Sequence, residues 1–106
     1  MLVTNPPIHP GEILRTEFME PLGLSAGKVA KALGVPRTRI ERLVLEQTAL
    51  TADTAFRLGR YFRTEADFWL TLRASYDLSK AYQDAALIAE IDAIEPLTVA
   101  RLEDAA

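Results

Sequence analysis

The sequence contains no cysteine and a single histidine, His9. Disulfides and thiolate metal sites are thereby excluded, and a histidine-based nucleophile-and-base set or zinc site has too few members. No run of apolar residues approaches the length of a membrane span. In the opening stretch MLVTNPPIHP, tandem prolines interrupt what a signal peptide must keep continuously apolar. Glycine is scarce, and no glycine-rich phosphate loop occurs. Internal repeats, low-complexity runs and alternating strand patterns are missing as well. Glu17 and Glu20 do form a carboxylate pair, but on an exposed helix surface such pairs are ordinary solubilising charges. These absences argue against an enzyme, a cofactor, and a membrane or secreted protein, and they predict a cytoplasmic chain without cofactor.

What is present is typical of a soluble domain. Hydrophobic residues make up 49% and charged residues 25% of 106 positions, enough for one core with a tail. The net charge of −3 is unevenly divided. Residues 1–63 hold nine Lys/Arg against six Asp/Glu, whereas residues 64–106 hold three against nine. A basic front and an acidic rear suggest a surface that meets an anion, joined to a surface with a different task.

Apolar spacing and turn residues predict an all-α chain. A first helix should follow His9-Pro10-Gly11, with Ile13, Leu14, Phe18 and Leu22 on one face, and end at Pro21 and Gly23. His9 is expected at its start as a structural or capping residue. Ser25 caps a second helix, with Leu24 and Val29 as a hydrophobic staple, and Gly34 ends it. Pro36 opens a third helix that should run to about Glu46. Thr51 to Asp53 begin a fourth, burying Ala55, Phe56, Leu58 and Phe62. The sequence Thr64-Glu65-Ala66-Asp67 has capping-box spacing and opens a fifth. In that helix Phe68, Trp69, Leu72 and Tyr76 give a wide apolar stripe, suited to the core or to a dimer interface more than to a ligand platform. The end of this helix is open between Ser79 and Tyr82. A last amphipathic segment carries Leu87, Ile88, Ile91 and Ile94 and stops before Pro96, after which fraying is expected. Its acidic stretch from Asp84 to Glu95 could lie on the core, join a dimer or engage a basic partner.

The sequence GVPRTRIERLV, residues 34–44, concentrates three arginines on the third helix. At about 100° per residue, Ile40, Leu43 and Val44 share the core side, while Thr38 and Arg42 lie opposite with Arg37 and Arg39 flanking them. The preceding capped helix, the small Ala30 and the corner at Gly34 complete a helix-turn-helix over about residues 25–46. Such a motif lays its second helix in the DNA major groove, where an arginine bidentate to guanine contributes roughly 1–3 kcal/mol of discrimination. Arg37, Thr38, Arg39 and Arg42 are therefore candidate DNA contacts. Ser25, Lys28, Gln47 and Thr48 join them, because the first helix and the adjoining loops of the motif meet phosphates. The alternative is a solvated face in which Arg37 pairs with Glu41 and Arg42 with Glu46, each pair contributing about 0.3–0.5 kcal/mol. Since one recognition helix buries little surface, a two-fold dimer reading half-sites about 34 Å apart is expected, with the fourth and fifth helices as its interface.

HPGEIL, GVPRTRIERL, TADTAFRLGRYF and EADFWLTLRASYDL together resemble the HigA-type antitoxins, a branch of the Cro/C1-type helix-turn-helix family, over about residues 8–80. The resemblance implies a compact five-helix, lambda-repressor-like domain over 1–83, followed by an acidic C-terminal helix and tail over 84–106. It also implies a dimeric bacterial protein that binds double-stranded operator DNA, represses its own operon and neutralises a small basic HigB-like toxin, typically an mRNA endonuclease. By position, Arg37, Thr38 and Arg42 would read bases and Arg39 a base or phosphate. A free-standing regulator, or a protein-interaction module with a degenerate helix-turn-helix, would share the same fold.

Overall fold

The computed structural model describes residues 3–98, and six helices with no strand make up that region. The first, α1, is a continuous rod of an α-turn Pro10–Ile13, a π-helical stretch Leu14–Met19 and a last turn Glu20–Leu22. It is followed by α2 (Ala26–Leu33), α3 (Arg37–Val44), α4 (Ala52–Phe62), α5 (Ala66–Tyr82) and α6 (Ala85–Asp92). The fifth helix thus runs on through Ser79, and the tail beyond residue 98 lies outside the described residues.

Local chemistry sets most boundaries. His9 caps α1 through Nδ1, which accepts the Gly11 N–H at 2.9 Å, and its buried ring stands edge-on to Tyr76 at 4.8 Å. Ser25 accepts the Lys28 N–H at 3.1 Å and Thr51 that of Thr54 at 3.2 Å, each satisfying one of the orphan donors of a first helical turn. Gly34, at φ 71°, makes the left-handed corner between α2 and α3.

Five expectations need correction. The π turn changes which α1 residues face inward, since i→i+5 winding stacks Leu14 over Met19 where an α-helix would stack Leu14, Phe18 and Leu22. Leu14 and Met19 are accordingly buried while Leu22 is 63% exposed. Pro21 sits within the final turn of that rod rather than ending it. The capping box at Thr64 does not form: Glu65 takes the N-cap position of α5, and the Thr64 hydroxyl accepts the Trp69 indole N–H at 2.8 Å. On α4 the inward face is Thr54, Ala55, Leu58 and Gly59, its centre about 130° away from Phe56, which is 67% exposed. Finally, α6 buries no residue and stands beside α5 instead of lying across the core.

The core joins Leu14 and Met19 of α1, Val29, Ala30 and Leu33 of α2, Ile40 and Leu43 of α3, and Leu50, Ala55, Leu58 and Trp69 behind them. Phe18 and Leu24 pack against this cluster, to which Val29 belongs. At Gly11 the backbone of α1 comes so close to α3 that a Cβ there would overlap the Leu43 carbonyl. Replacing Gly11 with alanine is therefore expected to destabilise the chain by about 1–3 kcal/mol, as overpacking does. The urea midpoint should fall at unchanged slope.

Candidate nucleic-acid interface

Because Ile40 and Leu43 point into the core, the remaining surface of α3 must face solvent, and Arg37, Thr38, Arg39 and Arg42 are all exposed. Thr38, Arg39, Arg42 and Thr48 line one open groove, whose far wall is Thr51, Asp53 and Thr54 at the start of α4. Arg37 leaves on the other side, toward α2: a Cβ on Gly27 would lie 3.3 Å from the Arg37 Cδ. Ser25 and the exposed Lys28 belong to that same first turn of α2. Gln47 is exposed beyond α3, its backbone N–H donating to the Arg42 carbonyl at 2.9 Å.

The charges of α3 are partnered unequally. Arg37 does reach Glu41, at 3.4 Å, with the arginine side chain 70% exposed. Glu46 cannot serve Arg42 in the same way, because α3 ends at Val44 and Glu46 takes the left-handed conformation at φ 61°. Arg42 thus has no ion-pair partner among the described residues. Arg39 instead donates to Asp53 Oδ2 at 2.6 Å, and Arg57 Nε donates to the same oxygen at 3.0 Å. Arg57 Nη1 also donates to the Leu33 carbonyl at 2.7 Å, so a single chain of contacts ties the end of α2 to α4 and α3. The two guanidiniums, Arg57 first, hold the Asp53 carboxyl below its ordinary value of 3.8. No group of histidines and carboxylates among the described residues is arranged to hold a metal.

Comparison with known proteins bears on this geometry. The helix-turn-helix family model matches residues 17–69, which contain α2, α3, α4 and the groove between them. The chain belongs to the helix-turn-helix family. It is 56% identical to virulence-associated protein I of Dichelobacter nodosus over 79 residues, 74% of this chain and 73% of that relative. With antitoxin HigA-1 of Vibrio cholerae it shares 35% identity over 72 residues, 68% of each chain, so the resemblance to HigA-type antitoxins holds. A solved structure of Pseudomonas aeruginosa antitoxin HigA with higBA promoter superposes with a TM-score of 0.79 at 47% identity, covering 87% of this chain and 99% of that one.

One group of residues in this helix-turn-helix protein lies where sequence spacing could not put it. Asp53, Thr51 and Thr54 form one wall of the groove although they were visible only as a helix start. Of the residues expected in the core or at a dimer interface, Trp69 takes the core place, fully buried within its own protomer and packed on Phe18 at 5.0 Å. Leu72 and Tyr76 are half-buried, and Phe68 keeps 40% of its surface exposed. Among the described residues no helix is long and apolar enough to cross a membrane.

Two outcomes are expected at this site. Since folding keeps Asp53 ionised to lower pH, its tie to Arg39 and Arg57 is complete at neutral pH and is lost as pH falls below 3.8 through the lowered folded-state value. Asp53→Asn should therefore melt below wild type at pH 7, with the gap closing in acid and shrinking in high salt, as an exposed network requires. Glu46→Gly should relieve the roughly 1–2 kcal/mol that a side-chain-bearing residue costs in the left-handed conformation, offset by the roughly 0.5–1 kcal/mol of extra entropy glycine loses on folding. Chemical unfolding at fixed pH should then show a gain of about 1 kcal/mol or less.

Proposed function

We propose that the chain is a non-enzymatic, dimeric DNA-binding antitoxin that represses its own operon and neutralises a small basic HigB-like toxin. The observation that carries the DNA half is the placement of Thr38, Arg39, Arg42 and Thr48 along one open groove, with Ile40 and Leu43 anchoring the opposite side of α3 in the core. In this reading α3 enters the major groove, and Arg37, Thr38 and Arg42 read base edges. Arg42, without an ion-pair partner among the described residues, gives up no salt bridge when it binds a guanine. Arg39, held at the groove edge by Asp53, meets a phosphate, as do Ser25, Lys28, Gln47 and Thr48. Relatives named antitoxin, one of them solved with its higBA promoter, support the remaining half. Residues 1–83 then form the DNA-binding domain and 84–106 an acidic appendage.

Fluorescence anisotropy against DNA from upstream of the protein's own gene tests this reading. Arg42→Ala should lose about 1–3 kcal/mol on the preferred sequence and little on unrelated DNA, whereas Lys28→Ala should weaken all sequences alike and lower the salt slope by about one. Equal binding of wild type to every sequence, or none, would defeat the repressor assignment. Co-expression with the product of a neighbouring gene for a small basic protein should yield a complex that purifies together.

A further inference from the structure

The C-terminal arm has an apolar side that its own protomer leaves uncovered. Leu87 and Ile88 are half-buried against the body, but Ile91 is 48%, Ile94 68% and Leu97 45% exposed. A helix of eight residues with no buried side chain does not persist alone in water. The molecule is drawn out to 56 Å along its long axis, with a radius of gyration of 18.0 Å, where a compact chain of similar length has about 13 Å. From residue 81 to residue 98 the arm has four carboxylates, Asp84, Glu90, Asp92 and Glu95, and no lysine or arginine.

A second uncovered surface has the opposite character. Phe56, 67% exposed, and Tyr61, 41% exposed, border a shallow groove between the end of α2 and α4 that also contains Arg60 and Arg63. Neither arginine forms an ion pair among the described residues, although Glu65 and Asp67 stand at the groove's outer margin beside Phe56. This groove is separate from the Thr38 and Arg42 groove, sharing no lining residue with it.

We propose that the arm over residues 84–98 of one copy seats in the Phe56 and Arg60 groove of a second copy, and reciprocally. Charge and apolarity match on both sides of such a contact: isoleucines meet aromatic rings, and carboxylates meet free guanidiniums. A basic foreign protein would complement the arm and be repelled by the groove, whereas a second copy satisfies both surfaces, and a two-fold axis makes the contact twice. The assignment gives the dimer of the proposed function its contact surface, and it concerns the chain without DNA.

Sedimentation of the full chain over a micromolar concentration series, with no DNA present, tests it. Wild type should be dimeric, and Phe56→Glu or Ile94→Asp should each raise the dimer dissociation constant by about tenfold or more, as truncating an interface anchor does. Both positions are exposed, so melting temperatures measured beside them should report folded chains. Arg60→Glu and Glu90→Lys should each weaken self-association, and mixing the two variants should restore a heterodimer. A monomeric wild type would overturn the proposal. So would a dimer that responds to Ile94→Asp and not to Phe56→Glu, which would place the arm on another surface, and so would failure of the mixed charge variants to associate. Anisotropy with DNA carrying a single half-site, which one copy reads alone, separates this outcome from the DNA assignment: the four variants should bind it as wild type does, since none of the substitutions lies on α3 or its groove.

Discussion

An eight-residue helix in water is mostly coil, and α3 has only that length. Its shape must be imposed from outside, and much of the fold consists of the means. Ile40 and Leu43 fix its rotation by burial, so the arginines cannot turn inward without opening the core. Gly11 lets α1 come within backbone contact of its last turn. Arg15, from the same rod, donates to the Val44 carbonyl at 3.0 Å and so places a cation at the negative end of α3. Asp53 then sets the lateral position of Arg39 from α4. With rotation, depth and one flank fixed, the exposed side chains of α3 begin from a narrowed set of positions, and less entropy remains to be lost on binding.

The arginines of the chain are divided between holding the fold and facing solvent, and charge counting treats them alike. Arg15, Arg57 and Arg73 each donate to a backbone carbonyl where the chain leaves or approaches a helix, at Val44, Leu33 and Leu50. A guanidinium suits this task because its planar fork can serve a carbonyl and a carboxylate at once, as Arg57 does with Leu33 and Asp53. Arg42, Arg60 and Arg63 have no ion-pair partner among the described residues. The basic excess of residues 1–63 is thus partly consumed in structure. What remains is split between two separate faces.

Features set by neighbours in the chain are legible in the sequence. Ser25, Thr51 and Gly34 act within three or four residues of themselves, so their caps and corner follow from residue type and position alone. The two sides of α3 were equally legible, being a consequence of helical period. Other features depend on groups distant in sequence or on a change of winding. Spacing assumes α-helical geometry and so assigned Leu22 the place that the π turn gives to Met19. Thr64 fitted a capping box, but the indole of Trp69 competed for its hydroxyl. Arg39 and Asp53 are separated by thirteen intervening residues, and nothing in either segment announces the other. Phe56 read as core because large apolar residues usually are, whereas its angle on α4 leaves it outside.

An overall charge of −3 does not prevent the proposed DNA contact, because charges act over the Debye length, about 8 Å at physiological salt, and not over the whole molecule. Most of the acidic excess lies after residue 63, while α3 and the first turn of α2 carry Lys28, Arg37, Arg39 and Arg42. Within that region Asp53 offsets Arg39 and Arg57, and Glu41 offsets Arg37. Few cations are left to neutralise phosphates, and each phosphate neutralised adds about 0.9 to the salt slope. Such a protein gains little from non-specific attraction. Its preference for one sequence must rest on base contacts and on reading two half-sites together, which makes the geometry of Arg42 and the pairing of two copies more consequential than they would be on a strongly basic surface.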